Sequence, residues 1–363
     1  MTVSLYSLLE RTAVAGSHQQ RPDGSMPAGH NGPWRLVETP LRNTGNWLHL
    51  FLWAHELTGE ATFRRAAERA AGYLLDPCHR PGQGAFLHLP GAPRLEANGL
   101  IGQAWTLGAL FHAHRSLGWD TLLASARAVL LAHPFDARLD LWVNLGVDGK
   151  PQKVNLTLNQ QVWFAQSALQ DPDPSDTLAR SIGRFLASLP SHTRLSPYGP
   201  IEHRIHPWIL AKRFPSSALA YLRAHLTPRG VLAERSEGYL AFVLSGLGLL
   251  EVSRRGRGGP EWPLLGRAMD FTRSPQHKHA LSGNRFAFGY NPTGIEMAIA
   301  CTHLRPEWVP EPAEWLAEQV RRCYDFETHL MMRNSPDPNT LAGRICEAIR
   351  LPDVELELPW TRP

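Results

Sequence analysis

The sequence predicts an all-α fold in which six helical hairpins close into a ring, an (α/α)6 toroid with short β-ribbons in its connecting loops. Three observations support this prediction. Six helical segments each open with a polar, often Asn-bearing cluster, and a more charged helical segment follows each of the first five. The pattern returns after roughly 40–60 residues, as in repeats built from one supersecondary unit. In such a ring the N-terminal ends of the inner helices meet at one mouth, where we expect the chemistry.

The inner helices are predicted from segments that are apolar on nearly every face, as Trp47, Phe51 and Trp53 show for the first. They are predicted at 44–58, 98–116, 157–169, 237–252, 293–304 and 338–350. The outer helices carry charge on one face, as Arg64 and Glu68 show, which is typical of a helix exposed on one side. They are predicted at 61–75, 120–133, 174–188, 261–272 and 311–326, and a further short helix at 3–14.

The connections between the hairpins hold the remaining features. Strand patterns are few, and the best ones, at 85–89, 139–144 and 285–290, predict ribbons between hairpins. Residues 20–34 are too rich in Gly, Pro, Asn and Asp for regular structure, so we expect a loop there. Residues 191–235 interrupt the repeat, and we interpret them as an insertion over the cleft of a single domain, 1–363.

Composition excludes several classes of function. The chain has 363 residues, 43% hydrophobic and 19% charged, with a net charge of only +4 and no basic stripe for nucleic acid. It has no signal peptide pattern and no apolar run near ~18 residues, so we expect a cytoplasmic protein without a membrane span. Four cysteines lie far apart in the sequence, which fits a reducing compartment and excludes a zinc-type spacing: Cys78, Cys301, Cys323 and Cys346.

Several motifs resemble a family of (α/α) six-hairpin proteins encoded in bacterial and archaeal surface-polysaccharide and glycosylation clusters. These are Asn43-Thr44-Gly45-Asn46-Trp47, Asn98-Gly99-Leu100-Ile101-Gly102-Gln103-Ala104-Trp105, Ser236-Glu237-Gly238-Tyr239, Gly289-Tyr290-Asn291-Pro292 and Pro336-Asp337-Pro338-Asn339-Thr340-Leu341. The likeness runs from about residue 18 to residue 351. More distantly the architecture is similar to six-hairpin glycosidases, N-acylglucosamine 2-epimerases and uronyl C5-epimerases. The resemblance implies glycan metabolism and assigns no catalytic residue.

Glycoside hydrolysis is the first hypothesis, and it requires two carboxyl groups on opposite sides of the scissile bond. Near the predicted mouth the candidates are Glu237, Glu202 and Glu296. Glu237 and Glu296 fall in predicted first turns, where the helix dipole also favours a carboxylate for purely structural reasons. Glu237 is the leading candidate, because Gly238 leaves space beside it and Tyr239 adds a phenol.

Sugar or uronate epimerisation is the alternative, because it needs two bases on opposite faces of one carbon. His203 and His206 are three residues apart on the irregular insertion, and both could face one cavity. Arg204 lies between them and would suit a uronate carboxylate through a bidentate fork. A third alternative is a non-catalytic protein that binds glycans or helps to assemble them.

Neutral polar and aromatic side chains at the openings of the inner helices are candidates for sugar contacts. Amides can hydrogen-bond sugar hydroxyls and aromatic rings can stack on pyranoses, although capping and core packing are competing explanations. The predicted substrate-binding residues, besides Arg204, are Asn43, Trp47, Asn98, Gln103, Asn159, Gln160, Tyr239, Tyr290 and Asn291. No nucleotide or metal motif occurs, so we expect a saccharide ligand and neither cofactor nor metal. The oligomeric state stays open.

Overall fold

The structure, a computed structural model, describes residues 2–196, 199–205 and 229–358. Its helices are α1 Leu5–Gln19, α2 Leu41–Thr58, α3 Ala61–Leu75, α4 Gly99–Leu117, α5 Asp120–Ala132, α6 Leu158–Ala168, α7 Asp176–His192, α8 Arg229–Gly238, α9 Leu240–Gly256, α10 Pro263–Thr272, α11 Pro275–Leu281, α12 Thr293–Leu304, α13 Glu311–Cys323 and α14 Pro338–Arg344. In the described part of the chain, no helix combines the length and the apolar character needed to cross a membrane.

Short elements connect the helices. Three 3-10 turns cover Gly32–Trp34, Pro77–His79 and Ile345–Arg350. The strands are β1 Thr2–Ser4, β2 Phe135–Asp136, β3 Leu141–Leu145, β4 Pro151–Val154, β5 Tyr324–Asp325, β6 Leu330–Met331 and β7 Glu355–Glu357. They form an antiparallel ribbon β2–β3–β4 and the pairs β5–β6 and β1–β7. The predicted strand at 139–144 is therefore confirmed as β3.

Six inner helices form a closed ring in the order α2, α4, α6, α9, α12 and α14. Each of the first four contacts the next, and α12 contacts the turn Ile345–Arg350, which continues α14. Both α14 and this turn pack on α2. The molecule is thus the predicted all-α (α/α)6 toroid. Burial separates the layers: α12 is buried at every position from Thr293 to Cys301, whereas the outer helix α13 buries one face.

The sixth hairpin is completed by the opposite end of the chain. The N-terminal helix α1 contacts α2, α3 and the turn Ile345–Arg350, so it occupies the outer position beside the last inner helix. Strands β1 and β7 pair next to it, with Val3 opposite Leu356. The ring is therefore closed by pairing of the two terminal segments, an arrangement that the repeat pattern left open.

One helix boundary and two strand predictions are wrong. The fourth inner helix begins at Leu240 rather than at residue 237, because α8 occupies 229–238 and the chain breaks at Tyr239. The strands predicted at 85–89 and 285–290 do not form, and both stretches are irregular. Side-chain amides hydrogen-bond their backbone in place of a neighbouring strand, as Gln103 does for Phe86 and Asn291 for Phe286.

Candidate functional site

A cavity of about 270 Å³ lies at the N-terminal ends of the inner helices, at the predicted mouth. Its neutral polar residues are Asn31, Asn98, Thr157, Asn159, Gln160 and Asn291. Its titratable residues are Arg42, Arg235, Arg344, His203, Tyr239 and Tyr290. Its apolar residues are Trp34, Leu36, Leu89, Leu95, Ile101, Trp105 and Phe242. All six inner helices, or the residues that directly precede them, contribute to this wall.

The neutral amides of the wall leave hydrogen-bonding capacity free. The Asn98 amide nitrogen and the Asn159 carbonyl oxygen are buried and have no partner in the protein. The Gln160 carbonyl oxygen, by contrast, accepts hydrogen bonds from the Leu100 backbone N–H at 3.1 Å and from the Asn155 amide at 2.7 Å. Buried polar atoms without partners are costly, so a polar ligand or water is expected to satisfy them.

The close approach of Gln160 to α4 depends on a glycine. Gly99 begins α4 with a φ of +58°, and a Cβ at this position would lie 2.3 Å from the Gln160 carbonyl oxygen. Asn98, directly before it, is also left-handed, with a φ of 52°. A left-handed backbone and a missing side chain together allow α4 to begin beside α6. This local geometry places Asn98 and Gln160 in the same cavity.

His203 brings an imidazole into the wall, and its Nδ1 atom is buried without a partner. Its ring lies 5.0 Å from the Tyr239 ring, centroid to centroid. Burial lowers the pKa of His203 to about 3, and the positive charges of Arg235 and Arg204 act in the same direction. The imidazole is therefore neutral near pH 7, the form that can accept a proton.

Among the charged groups that lower the pKa of His203, Arg235 has the largest effect. Its guanidinium carbon lies 5.6 Å from the Trp34 ring centroid and 5.8 Å from that of Phe286. Its Nε atom is buried and has no hydrogen-bond partner. Arg235 therefore contacts aromatic faces and forms no ion pair with a described carboxylate.

Tyr239 and Tyr290 form a phenol pair beside His203, with ring centroids 6.2 Å apart. Burial raises the pKa of Tyr239 well above its ordinary value, and the neighbouring Tyr290 adds to this effect. Tyr239 is therefore a protonated hydroxyl at any physiological pH. The Tyr290 hydroxyl donates a hydrogen bond to the side-chain amide oxygen (Oδ1) of Asn31 at 3.4 Å, which ties the loop 31–36 to the wall.

Arg344 forms the centre of a buried network. Its guanidinium contacts Glu296 at 2.7 Å and Glu347 at 2.7–2.8 Å. It also donates a hydrogen bond to the side-chain amide oxygen (Oδ1) of Asn291 at 2.9 Å. Burial raises the pKa of Glu296 to about 8, against the opposing charge of Arg344. This network connects α14 to α12 and fixes Asn291 and Tyr290 at the wall, since Arg344 also donates to the Tyr290 carbonyl at 3.4 Å.

The predicted carboxylates do not line the cavity. Glu237 ends α8 and bonds His277 Nδ1 at 2.7 Å, a contact made possible because residue 237 precedes the break before α9. Glu202 lies 3.9 Å from Arg194, and Glu296 is fully buried against Arg344. Among the described residues no Asp or Glu lines the wall, and the remaining stretches of the sequence contain neither residue type.

Other predicted site residues have structural surroundings. Trp47 is 1% exposed and packs beside Gly16 in the core, not in the cavity. The side-chain amide of Gln103 forms hydrogen bonds with backbone groups of Phe86 and Ala97, all within 3.1 Å. Neither residue lines the cavity: Trp47 packs in the core, and Gln103 hydrogen-bonds the backbone.

Three further predictions concern the cavity rim. Asn43 is buried and donates to the Pro27 carbonyl at 2.8 Å, outside the wall. Arg204 is exposed and does not line the cavity. His206 lies outside the described residues. The predicted residues that do line the wall are Asn98, Asn159, Gln160, His203, Tyr239, Tyr290 and Asn291.

Three arginines of the wall were not among the predicted site residues. Arg42 directly precedes the Asn43-Thr44 motif, Arg235 precedes Ser236-Glu237, and Arg344 follows the last motif. Arg42 is 2% exposed, stacks over the Trp105 ring at 3.9 Å and reaches Glu38 at 3.3 Å. The sequence did carry a signal for these residues, namely an arginine next to a polar motif of an otherwise apolar inner helix.

Comparisons with known proteins agree with this architecture. The chain is 37% identical over 369 residues to a Haloferax volcanii protein described as archaeal glycosylation protein Q, with 98% of this chain and 99% of that protein covered. No family model matches the chain. A cellobiose 2-epimerase from Spirochaeta thermophila superposes with a TM-score of 0.62 at 14% identity, over 95% of this chain and 96% of that one. A D-mannose isomerase does so with a TM-score of 0.59 at 13% identity, over 95% and 97%. The solved structures share the fold.

Proposed function

Because this chain belongs to the family of archaeal glycosylation protein Q, we propose that it acts on a saccharide used in glycoconjugate synthesis. We assign it the reaction of a sugar isomerase or epimerase, in which a proton moves between carbon and an active-site base. The observation that carries the proposal is the neutral, half-buried His203, whose Nδ1 atom is buried without a partner, in a cavity that no described carboxylate lines. The solved structures with this fold include a sugar isomerase and two cellobiose 2-epimerases.

The unpartnered atoms support a polar ligand of sugar size. Nδ2 of Asn98, Oδ1 of Asn159, Nδ1 of His203 and Nε of Arg235 are buried, line one cavity and lack partners. Sugar hydroxyls can donate and accept, so one pyranose or open-chain sugar can satisfy both the donors and the acceptors. The rings of Trp34 and Trp105 add apolar faces to the same wall.

His203 is assigned the base. It takes the proton from the carbon next to the carbonyl of the open-chain sugar, and the C–H electron pair forms the double bond of an enediolate. The negative charge develops on the former carbonyl oxygen, where the Tyr239 hydroxyl can donate a hydrogen bond. Returning the proton to the former carbonyl carbon, while the hydroxyl proton of the other carbon passes to the former carbonyl oxygen, gives the isomer. Returning the proton to the opposite face of the original carbon, with the carbonyl restored in place, gives the epimer. No oxidant or reductant is consumed.

Isomerisation needs one base, whereas epimerisation needs a second base on the other face of the carbon. For the second base, His206 stays a prediction. An imidazole with a pKa of about 3 is a weak base. Burial is the main cause of the low pKa, and a negative group on a bound ligand can offset the smaller contribution of Arg235. The structure thus supports proton transfer at carbon in general and favours the one-base reaction.

Glycoside hydrolysis receives less support from the wall. That reaction needs two carboxyl groups across the scissile bond, and Glu237, Glu202 and Glu296 are each engaged outside the cavity lining. The tyrosine and arginine residues of the wall do not replace a pair of carboxylates in the common mechanism. We therefore place hydrolysis behind isomerisation.

The proposal is tested by proton NMR in D2O with a panel of monosaccharides, short oligosaccharides and their acidic forms. We expect deuterium to enter a carbon adjacent to the carbonyl, or a second sugar to appear, without release of a new reducing end. His203→Gln should lower the rate about 100- to 10,000-fold, as for loss of a general base. His279→Gln, an exposed histidine on α11, is the matched control and should leave the rate unchanged.

Two results would contradict the proposal. Release of a reducing end would make the protein a hydrolase and return attention to the carboxylates. Binding of a sugar without exchange, insensitive to His203→Gln, would make it a non-catalytic glycan-binding protein. Tyr239→Phe adds a separate readout, since it should lower kcat more than it raises KM if the hydroxyl acts on the developing enediolate.

A further inference from the structure

We propose that the cavity selects a sugar carrying a single carboxylate, a uronic acid, and that Arg235 is the residue that binds the carboxylate, with Arg42 as the second cation. This inference rests on the proposed function, because it names the substrate class of the same site. It is carried by an imbalance of charge in the wall: three arginines line it, and no described carboxylate does.

Arg344 is already neutralised. Its Nε and both terminal nitrogens donate to Glu347, Glu296, the Asn291 side chain and the Tyr290 carbonyl. Four hydrogen bonds and an ion-pair contact with Glu347 at 2.7 Å engage all three guanidinium nitrogens. Arg344 is therefore held by the protein on every nitrogen, and its charge is balanced within the network.

Arg42 is partly neutralised. One terminal nitrogen reaches the buried Glu38 at 3.3 Å, and Nε is buried without a partner. The other Glu38 oxygen accepts the Asn31 backbone N–H at 3.0 Å, so this carboxylate is shared between two groups. Arg42 can therefore donate to a ligand, although its charge is largely offset.

Arg235 is the uncompensated cation of the wall. It forms no ion pair with any described carboxylate, and its Nε has no hydrogen-bond partner. The adjacent Glu234 lies near Arg285 instead, at 3.5 Å. The side chain is half-buried with its Nε atom fully covered, and a partly desolvated charge without a counter-ion is costly. A negative group on the ligand is therefore the natural partner, and one such group would match the one uncompensated cation among the described residues of the wall.

The free cation is also close to the proposed chemistry. Arg235 and Arg42 both act electrostatically on Tyr239, and Arg235 also acts on His203. A carboxylate held by Arg235 would offset one of the positive charges that disfavour protonation of His203, which makes the imidazole a stronger base when an acidic sugar is bound. Substrate charge and base strength are thereby coupled.

The size of the cavity favours a monosaccharide unit over a nucleotide sugar. Its volume of about 270 Å³ lies just below the roughly 300–1,000 Å³ of common small-molecule sites. A nucleotide sugar adds a base, a second sugar and a diphosphate with two negative charges. A carboxylate matches both the available volume and the planar fork of one arginine.

The experiment compares affinities by isothermal titration calorimetry for three matched ligands: a hexuronate, the uronamide of the same sugar and the parent hexose. For the wild type we expect the hexuronate to bind about 10- to 100-fold more tightly than either neutral ligand, the range of a charge-assisted hydrogen bond. Arg235→Gln should remove this preference while the uronamide affinity stays within a few-fold. Arg235→Lys should retain part of it.

Arg285→Gln is the matched control. Like Arg235, Arg285 lies over the Phe286 ring, with its guanidinium carbon 4.8 Å from the ring centroid. Its side chain, however, is 53% exposed and outside the cavity. This variant should keep the full preference for the acid. Circular dichroism melting of each variant shows that the comparison is made between folded proteins.

Equal affinity for the three ligands in the wild type, or preference for the hexose, would overturn the inference and leave the proposed function intact if exchange in D2O is observed. A preference for the acid that survives Arg235→Gln would overturn the assignment of Arg235. If no sugar of the panel binds the wild type, the inference and the proposed function both fail. Loss of the preference only in the Arg235→Gln protein supports both parts of the inference.

Discussion

The substitution Glu296→Gln probes the buried network that closes the ring. Glu296 is fully buried on α12, and its carboxylate accepts a hydrogen bond from Arg344 of α14 at 2.7 Å. Glu347 shares the same guanidinium, so two acidic groups face one cation. Burial raises the pKa of Glu296 to about 8, so the network retains a proton at neutral pH and carries no net charge.

The magnitude follows from linkage between protonation and folding. In the unfolded chain a glutamate ionises near its ordinary pKa of 4.5, whereas Glu296 in the folded protein keeps its proton up to about 8. Its contribution to stability is therefore complete below pH 4.5 and is lost as the pH rises through 8. At 1.36 kcal/mol per pKa unit, the free energy of unfolding should fall by about 4 kcal/mol between pH 5 and pH 9.

Glu296→Gln replaces a neutral acid by a neutral amide that can still accept from Arg344. We expect the variant to lie within about 1 kcal/mol of the wild type at pH 5, where Glu296 has lost little of its contribution, and to lack this part of the pH dependence. Urea denaturation followed by tryptophan fluorescence at each pH from 5 to 9 measures both profiles. Subtracting one stability profile from the other cancels the contributions of all other titrating groups and leaves that of Glu296.

Glu347→Gln provides the internal check, because the Glu347 charge contributes to the raised pKa of Glu296. Removing that charge should move the loss of stability to lower pH. Parallel profiles for the wild type and Glu296→Gln, separated by a constant ~3–5 kcal/mol, would refute the reasoning. That result would show an ionised Glu296 in a conventional buried ion pair.

Four further changes test the ring by urea denaturation, three through its packing and one through a buried histidine. Gly16→Ala should destabilise the protein by about 1–3 kcal/mol or more, because the new Cβ would lie 2.0 Å from the Trp47 ring. Gly72→Ala, with open space around its Cα, should instead stabilise it by about 0.5–1 kcal/mol. Gln161→Ala should cost about 2–4 kcal/mol, since its amide holds Trp142 and Asn155 backbone groups at 2.8–3.0 Å. Burial lowers the pKa of His112 to about 4, so stability is lost as the pH falls from 6.5 through 4, and His112→Gln should remove up to about 3 kcal/mol of that loss.

Each of these predictions has a contrary outcome. Equal effects of Gly16→Ala and Gly72→Ala would mean that Trp47 moves aside without cost. A Gln161→Ala protein as stable as the wild type would show that water replaces the amide. An unchanged acid profile for His112→Gln would assign the loss to other buried histidines, such as His133.

The helices were predictable because their signal is local. The segments predicted at 61–75 and 293–304 form the helices Ala61–Leu75 and Thr293–Leu304. An outer helix is apolar on one face and an inner helix on nearly every face, so the sequence distinguishes the two layers of the ring. The false strands have a physical explanation. Residues 85–89 alternate as a strand does, but Gln103 supplies the hydrogen bonds that a second strand would supply, and no short-range pattern reveals that partner.

The site was harder to predict because neighbouring residues of the same type have opposite roles. Gln160 lines the cavity, whereas Gln161 is fully buried and clamps the strand at Trp142. One step along a helix turns a side chain by about 100°, so the choice depends on where the ring axis lies, which only the six assembled hairpins define. The carboxylates lie away from the cavity for a related reason, because Glu237 falls in the last turn of one helix instead of in the first turn of the next. What marks the candidate site in the folded protein is the set of buried atoms left without partners, among them the Nε atom of Arg235, for which we propose an anionic ligand.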